Sequence, residues 1–105
     1  MKEITATELK KKIDSKENFQ LIDVREEYET EIANIGGELI PLGTVLTSVE
    51  KISKDKPVII YCRSGKRSAT AIMELEARHG FTNLYNLKGG ILTYADEVDN
   101  SLTKY

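Results

Sequence analysis

The apolar run Val58-Ile59-Ile60-Tyr61 passes directly into Cys62-Arg63-Ser64-Gly65-Lys66-Arg67-Ser68, and this transition constrains the chain more than any other stretch. An uninterrupted apolar, β-favouring run suits a strand covered on both faces, the usual environment of a parallel sheet. A glycine-bearing cationic loop follows, and from about Arg67 the pattern turns helical. Strand, tight loop and helix in that order make one half of an α/β unit. In open parallel sheets, ligands bind beyond the carboxyl ends of strands, where loops feed helix N-termini. The cysteine sits at that position.

Chemistry follows from the placement. Backbone N–H groups in a tight loop converge on an anion, and the helix N-terminus adds a partial positive charge. Gly65 allows backbone angles that other residues avoid. Arg63, Lys66 and Arg67 surround the loop with cations. A thiol so placed is favoured as the thiolate, which is the nucleophilic form. The competing interpretation is an inert core cysteine beside a solvated connector, since free cysteine is commonly buried. His79 offers no help as a base. It lies twelve residues beyond Arg67, or ~18 Å along an unbroken helix, and suits a helix C-terminus instead. The loop alone must activate the sulfur. A persulfide on Cys62 fits, because its terminal anionic sulfur would sit within the same donors.

The remaining elements alternate between strand-like and helix-like. Thr5 and Glu8 form a capping box for a helix burying Ala6, Leu9 and Ile13. Residues 19–24 predict a core strand, 26–31 a short polar helix, and Leu39-Ile40 a brief strand after the Gly36-Gly37 turn. Thr44 is expected to cap a helix burying Val45, Val49 and Ile52. The helix from Arg67 should run to His79, stop at Gly80, and bury Ala69, Ile72 and either Leu75 or Met73. Residues 84–87 predict the last strand, and Gly89-Gly90 turns the chain into a helix near residues 91–98. The polar tail from about Asp99 is expected to fray. Pro41 and Pro57 fall at element edges.

At 105 residues the chain is the size of one domain. Its 40% hydrophobic and 30% charged residues suit a globular fold rather than a disordered one. A formal net charge of -2 gives no sign of nucleic-acid or membrane-surface binding. A single cysteine excludes an internal disulfide and, with one histidine, a zinc site. No leader-like segment and no apolar run near the ~20 residues of a membrane span is seen. The expectation is therefore a cytoplasmic protein without metal or cofactor.

The residues resemble the rhodanese-like family of sulfurtransferase domains. The resemblance spans Ile4 to about Tyr94 and rests on four patches. These are Leu21-Ile22-Asp23-Val24-Arg25-Glu26 with Tyr28-Glu29, then Ile40-Pro41-Leu42, residues 58–68, and Leu87-Lys88-Gly89-Gly90-Ile91. It implies a single domain over 1–105 with a five-stranded, mainly parallel sheet flanked by helices on both faces. Cys62 is implied as the persulfide-bearing nucleophile, and Arg63, Ser64, Gly65, Lys66, Arg67 and Ser68 as the anion-binding loop. Asp23 and Arg25 match a pair near that loop, either as a buried ion pair or with a direct part in catalysis. Two departures stand out. Ile32-Ala33-Asn34-Ile35 replaces the Gly-His-Ile common after the Tyr-Glu patch, a form similar to rhodanese domains attached to sulfur-carrier adenylyltransferases. Tyr94 stands where a tryptophan is frequent.

The expected activity is transfer of sulfane sulfur from a donor such as thiosulfate or a persulfide to a thiol or cyanide. The acceptor in a cell would be a sulfur-carrier or thioredoxin-like protein. One alternative is a cysteine phosphatase or arsenate reductase. Those usually place an arginine after five intervening residues, Cys-x5-Arg, whereas Arg67 follows Cys62 after only four. Another is a non-catalytic binding module on the same fold. Thiol-disulfide exchange would need an external thiol, because there is no second cysteine.

Overall fold

The computed structural model describes residues 1–105. The chain runs β1 (Glu3–Ile4), α1 (Ala6–Asp14), β2 (Gln20–Asp23), α2 (Glu27–Ile32), β3 (Glu38–Leu39), α3 (Leu42–Val45), β4 (Val58–Tyr61), α4 (Lys66–His79), β5 (Leu84–Leu87) and α5 (Gly90–Glu97). The strands form one sheet ordered β1-β5-β4-β2-β3, with every pairing parallel. The predicted α/β class and five-stranded sheet are found, with the most apolar strand, β4, at the centre.

Strand periodicity divides the core. Successive side chains of a strand point to opposite faces. Val58, Ile60 and Cys62 therefore join one cluster with Ile22, Val24, Leu84 and the α4 residues Ala71, Ile72 and Leu75. Ile59 and Tyr61 join the other, with Ile4, Leu9, Leu87, Ile91 and Tyr94. Parity thus puts the cysteine on the α4 side. The same parity on β5 puts Asn86 on that side too, in step with Leu84 and opposite to Leu87.

The capping box of α1 forms as expected: the Thr5 hydroxyl accepts from Glu8 N, and Glu8 accepts from Thr5 N. α4 ends at Gly80, whose φ of 67° is left-handed. No helix is long and apolar enough to cross a membrane.

Several expectations are corrected. Thr44 caps no helix. It lies inside α3, which starts directly after Pro41, and its hydroxyl donates to Pro41 O at 3.1 Å. Thr47 does the same to Thr44 O. Such back-bonding competes with helix continuation, and the segment breaks into α3 and a separate 3₁₀ turn at Val49–Lys51. Val45 and Ile52 are nevertheless buried. On α4 the buried face is Ser68, Ala71, Ile72 and Leu75, while Ala69 is half-buried and Met73 is 60% exposed. The helix is rotated from the apolar-only expectation because its first buried position is a serine. The tail is not frayed: Leu102 and Tyr105 pack against the second cluster. Polar composition concealed those two anchors.

Candidate active site

β4 delivers Cys62 to the carboxyl edge of the sheet, and Gly65 turns the chain into α4 with a left-handed φ of 100°. Three polar groups meet the sulfur. Gly65 N donates to Sγ at 3.1 Å and Ser68 N at 3.4 Å, while Ser68 Oγ lies 3.4 Å away. The sulfur therefore faces amides from the open end of a helix, where N–H groups have no intrahelical acceptor. The thiol is also covered, since Cys62 is only 1% exposed. It forms the floor of the loop rather than an open surface, so an incoming reagent must displace part of the cover.

The loop is braced from below. Ile91 N donates to Cys62 O at 2.9 Å and Leu92 N to Arg63 O at 3.1 Å, so the first turn of α5 is capped by the carbonyls of the cysteine segment. This approach requires Gly90: a Cβ there would lie 2.3 Å from Arg63 O. Asn86 braces the other side, its Nδ2 donating to Gly65 O at 3.1 Å and its Oδ1 accepting from Ser68 Oγ at 2.5 Å.

The loop cations differ in their commitments. Arg67 forms a two-pronged pair with Glu29 at 2.6 and 2.9 Å, so most of its charge is spent locally. This pairing holds the Glu29 carboxyl down at about 2, against an ordinary 4.5, with Tyr105 and Glu26 N assisting and burial opposing. The guanidinium of Arg67 is raised, chiefly by the Glu29 hydrogen bonds. Arg63 lies over the Tyr105 ring at 4.9 Å, and its Nε is buried without a partner. Lys66 is exposed and joins none of the ion pairs. Lys66 and Arg63 are therefore the cations free to meet an anion.

Asp23 and Arg25 form a buried pair at 2.8 Å. Arg25 also donates to Glu29 O, Ala33 O and Tyr105 Oη. Burial alone would pull this guanidinium down, but Asp23 and Tyr105 together hold it above its ordinary value. The pair makes no hydrogen bond to residues 62–68 and reaches the loop through intermediaries, Glu29 with Arg67 and Tyr105 with Arg63. His79 sits at the far end of α4, where its carbonyl accepts from Lys54 Nζ. The largest surface cavity, about 500 Å³, is lined by residues such as Gln20, Lys51 and Ser53 at the opposite end of the sheet, away from Cys62.

Three contributors escaped sequence reasoning. Glu29 lay in a polar helix with no sign of burial. Tyr105 belongs to the polar tail expected to fray. Asn86 carried a readable signal, a polar residue at a core-facing position between Leu84 and Leu87.

Comparisons with known proteins complete the description. The family model for the rhodanese-like domain matches residues 5–97. A Mycobacterium tuberculosis protein named as the probable adenylyltransferase/sulfurtransferase MoeZ is 33% identical over 97% of this chain, which spans only 26% of that protein. YtwF of Bacillus subtilis, provisionally named a sulfurtransferase, is 36% identical over 93% of this chain and 94% of its own length. The crystal structure of a rhodanese-like domain protein from Staphylococcus aureus superposes with a TM-score of 0.82 at 33% identity, covering 93% of this chain and 95% of that one.

Proposed function

The chain belongs to the rhodanese-like domain family, and we propose that it is a sulfurtransferase in which Cys62 carries the transferred sulfur. The observation that carries this reading is the pair of N–H groups, from Gly65 and Ser68, aimed at Sγ beside the uncommitted cations Lys66 and Arg63.

The proposed cycle has two steps. The Cys62 thiolate attacks the outer sulfur of a donor such as thiosulfate. The Sγ–S bond forms, the donor's S–S bond breaks, and sulfite leaves with the electron pair. The product is a Cys62 persulfide whose charge rests on the terminal sulfur. The amides of Lys66 and Arg67, which lack intrahelical acceptors at the start of α4, are the donors that added sulfur would meet. An acceptor thiolate or cyanide then attacks the terminal sulfur, the Sγ–S bond breaks, and the pair returns to Sγ. The loop stabilises an anion at both stages by fixed dipoles that need no rearrangement of charge. A relative from Bacillus subtilis, YrkF, is provisionally named a sulfur carrier protein, which supports a carrier-type acceptor in a cell.

Intact-mass measurement tests the proposal. Thiosulfate should add one sulfur atom, and cyanide should remove it as thiocyanate. Cys62→Ala should gain none while keeping its fold. Wild-type protein that gains no sulfur, although its thiol reacts with small alkylating agents, would return the chain to the class of non-catalytic binding modules.

A further inference from the structure

One hydrogen atom beside Cys62 has two claimants. Ser68 Oγ lies 2.5 Å from Asn86 Oδ1 and 3.4 Å from Cys62 Sγ. A serine hydroxyl carries one proton and donates one hydrogen bond. The orientation of the Asn86 amide is set from its other side, where Nδ2 meets Gly65 O at 3.1 Å. A carbonyl accepts only, so the nitrogen must face Gly65 and the oxygen must face Ser68. The short Oγ–Oδ1 separation then directs the hydroxyl proton toward Asn86 Oδ1. Toward the sulfur Ser68 presents only a lone pair, which can accept a thiol proton but gives nothing to a thiolate. Ser68 and Asn86 are 0% and 5% exposed, so bulk solvent does not reach the pair.

We propose that Asn86 is a positioning residue for the sulfur chemistry: it withholds the Ser68 hydroxyl from Cys62, and the hydroxyl becomes a third donor to the sulfur only when it turns away from Asn86. On ionisation the thiol proton passes to a base in solution, because Ser68 keeps its own proton throughout. The Gly65 and Ser68 amides serve the sulfur in both states, whereas the hydroxyl serves the anion in only one. The device rests on the reading that Cys62 bears the sulfur. It adds that the β5 side of the site governs when the thiol is reactive.

The experiment uses the rate of iodoacetamide reaction at neutral pH, with no sulfur donor present. Cys62 is the sole cysteine, so the reagent reports it alone. Asn86→Leu frees the hydroxyl for Sγ, while Gly65 O keeps its bond from Ala69 N at 3.1 Å. A hydrogen bond to a charged acceptor raises the thiolate fraction about tenfold. The weaker nucleophilicity of a better-stabilised thiolate returns roughly half of that gain on a logarithmic scale. The expected net increase is therefore about threefold. Ser68→Ala should abolish the gain that Asn86→Leu gives, so that the double variant reacts no faster than Ser68→Ala alone. A packing role for Asn86 would not make the effect of Ser68→Ala depend on Asn86 in this way. The charged and titratable groups around the loop are common to all four proteins: Arg63, Lys66 and Arg67 on the loop and α4, Glu29 on α2, Asp23 at the end of β2 and Arg25 just beyond it, Lys88 beside Gly89, and Tyr105 in the tail. Slower alkylation of folded Asn86→Leu, or an equal loss from Ser68→Ala in both backgrounds, overturns the proposal. If Asn86→Leu fails to fold, Asn86→Asp decides. Its carboxylate still takes the hydroxyl proton, so the thiol must react no faster than in wild type, and faster reaction overturns the idea. Failure of wild-type protein to accept sulfur from thiosulfate would remove the sulfurtransferase reading but would leave this alkylation cycle to stand or fall separately.

Discussion

Glu29 shows how much one residue can settle. It is 2% exposed, and it accepts from Arg67, Tyr105 and Glu26 N. A carboxyl held at about 2 rather than 4.5 contributes stability that is fully present above about 4.5 and lost as pH falls toward 2. Glu29→Gln should cost roughly 2 kcal/mol at neutral pH, below the loss for a fully buried pair because Arg67 is partly exposed. Urea unfolding at several pH values checks this: the gap between wild type and variant should close between pH 4.5 and about 2. Among the cations, Lys66→Ala should raise the KM for thiosulfate more than it lowers kcat, and the effect should fade with added salt. An unchanged KM would leave donor capture to Arg63. The loop cations could be read in the sequence, but their division between free and committed could not. That division depends on a carboxylate 38 positions from Arg67.

At the scale of elements, the site is a junction of β4, α4, β5 and α5 rather than a property of one loop. The N-terminus of α5 is capped by the carbonyls of Cys62 and Arg63, so the turn at Gly89-Gly90 holds the cysteine segment in place. Gly90→Ala should destabilise by about 3 kcal/mol, because its Cβ would meet backbone in an already left-handed turn. It should also change the alkylation rate of Cys62. Gly36→Ala is the control. Its φ of 94° is similarly strained, but nothing lies within 4 Å of the added Cβ. It should cost only about 1 kcal/mol and leave the thiol unaffected. Thermal unfolding with alkylation kinetics separates the two. The double glycine was visible as a turn. Its second task, admitting the carbonyls of a segment 27 residues away, was not, because sequence spacing carries no record of close approach.

Across the whole molecule, the sheet buries apolar residues on both faces and brings the tail back to the site. Tyr105 links Arg25 and Glu29, from one stretch around the start of α2, with Arg63, from the loop after β4. Tyr105→Phe keeps the ring beneath Arg63 and loses the hydroxyl. It should cost about 1 kcal/mol with donor KM unchanged. Tyr105→Ala also releases the guanidinium and should cost about 2 kcal/mol while raising that KM. Calorimetry with steady-state kinetics would show whether ring and hydroxyl separate in this way. Equal KM values for both variants would remove the tail from the site.

The sequence by itself determined the parallel α/β class, the central strand, and the placement of Cys62 ahead of a helix N-terminus. Each depends on interactions within a few residues or on a two- or four-residue rhythm. Only the tertiary structure decided that the thiol is covered, that Glu29 takes Arg67 out of play, that Asn86 holds the Ser68 proton, and that Tyr105 closes the site. Those outcomes join groups far apart along the chain, and which polar group finds which partner depends on the packing of elements whose local patterns are indifferent to it.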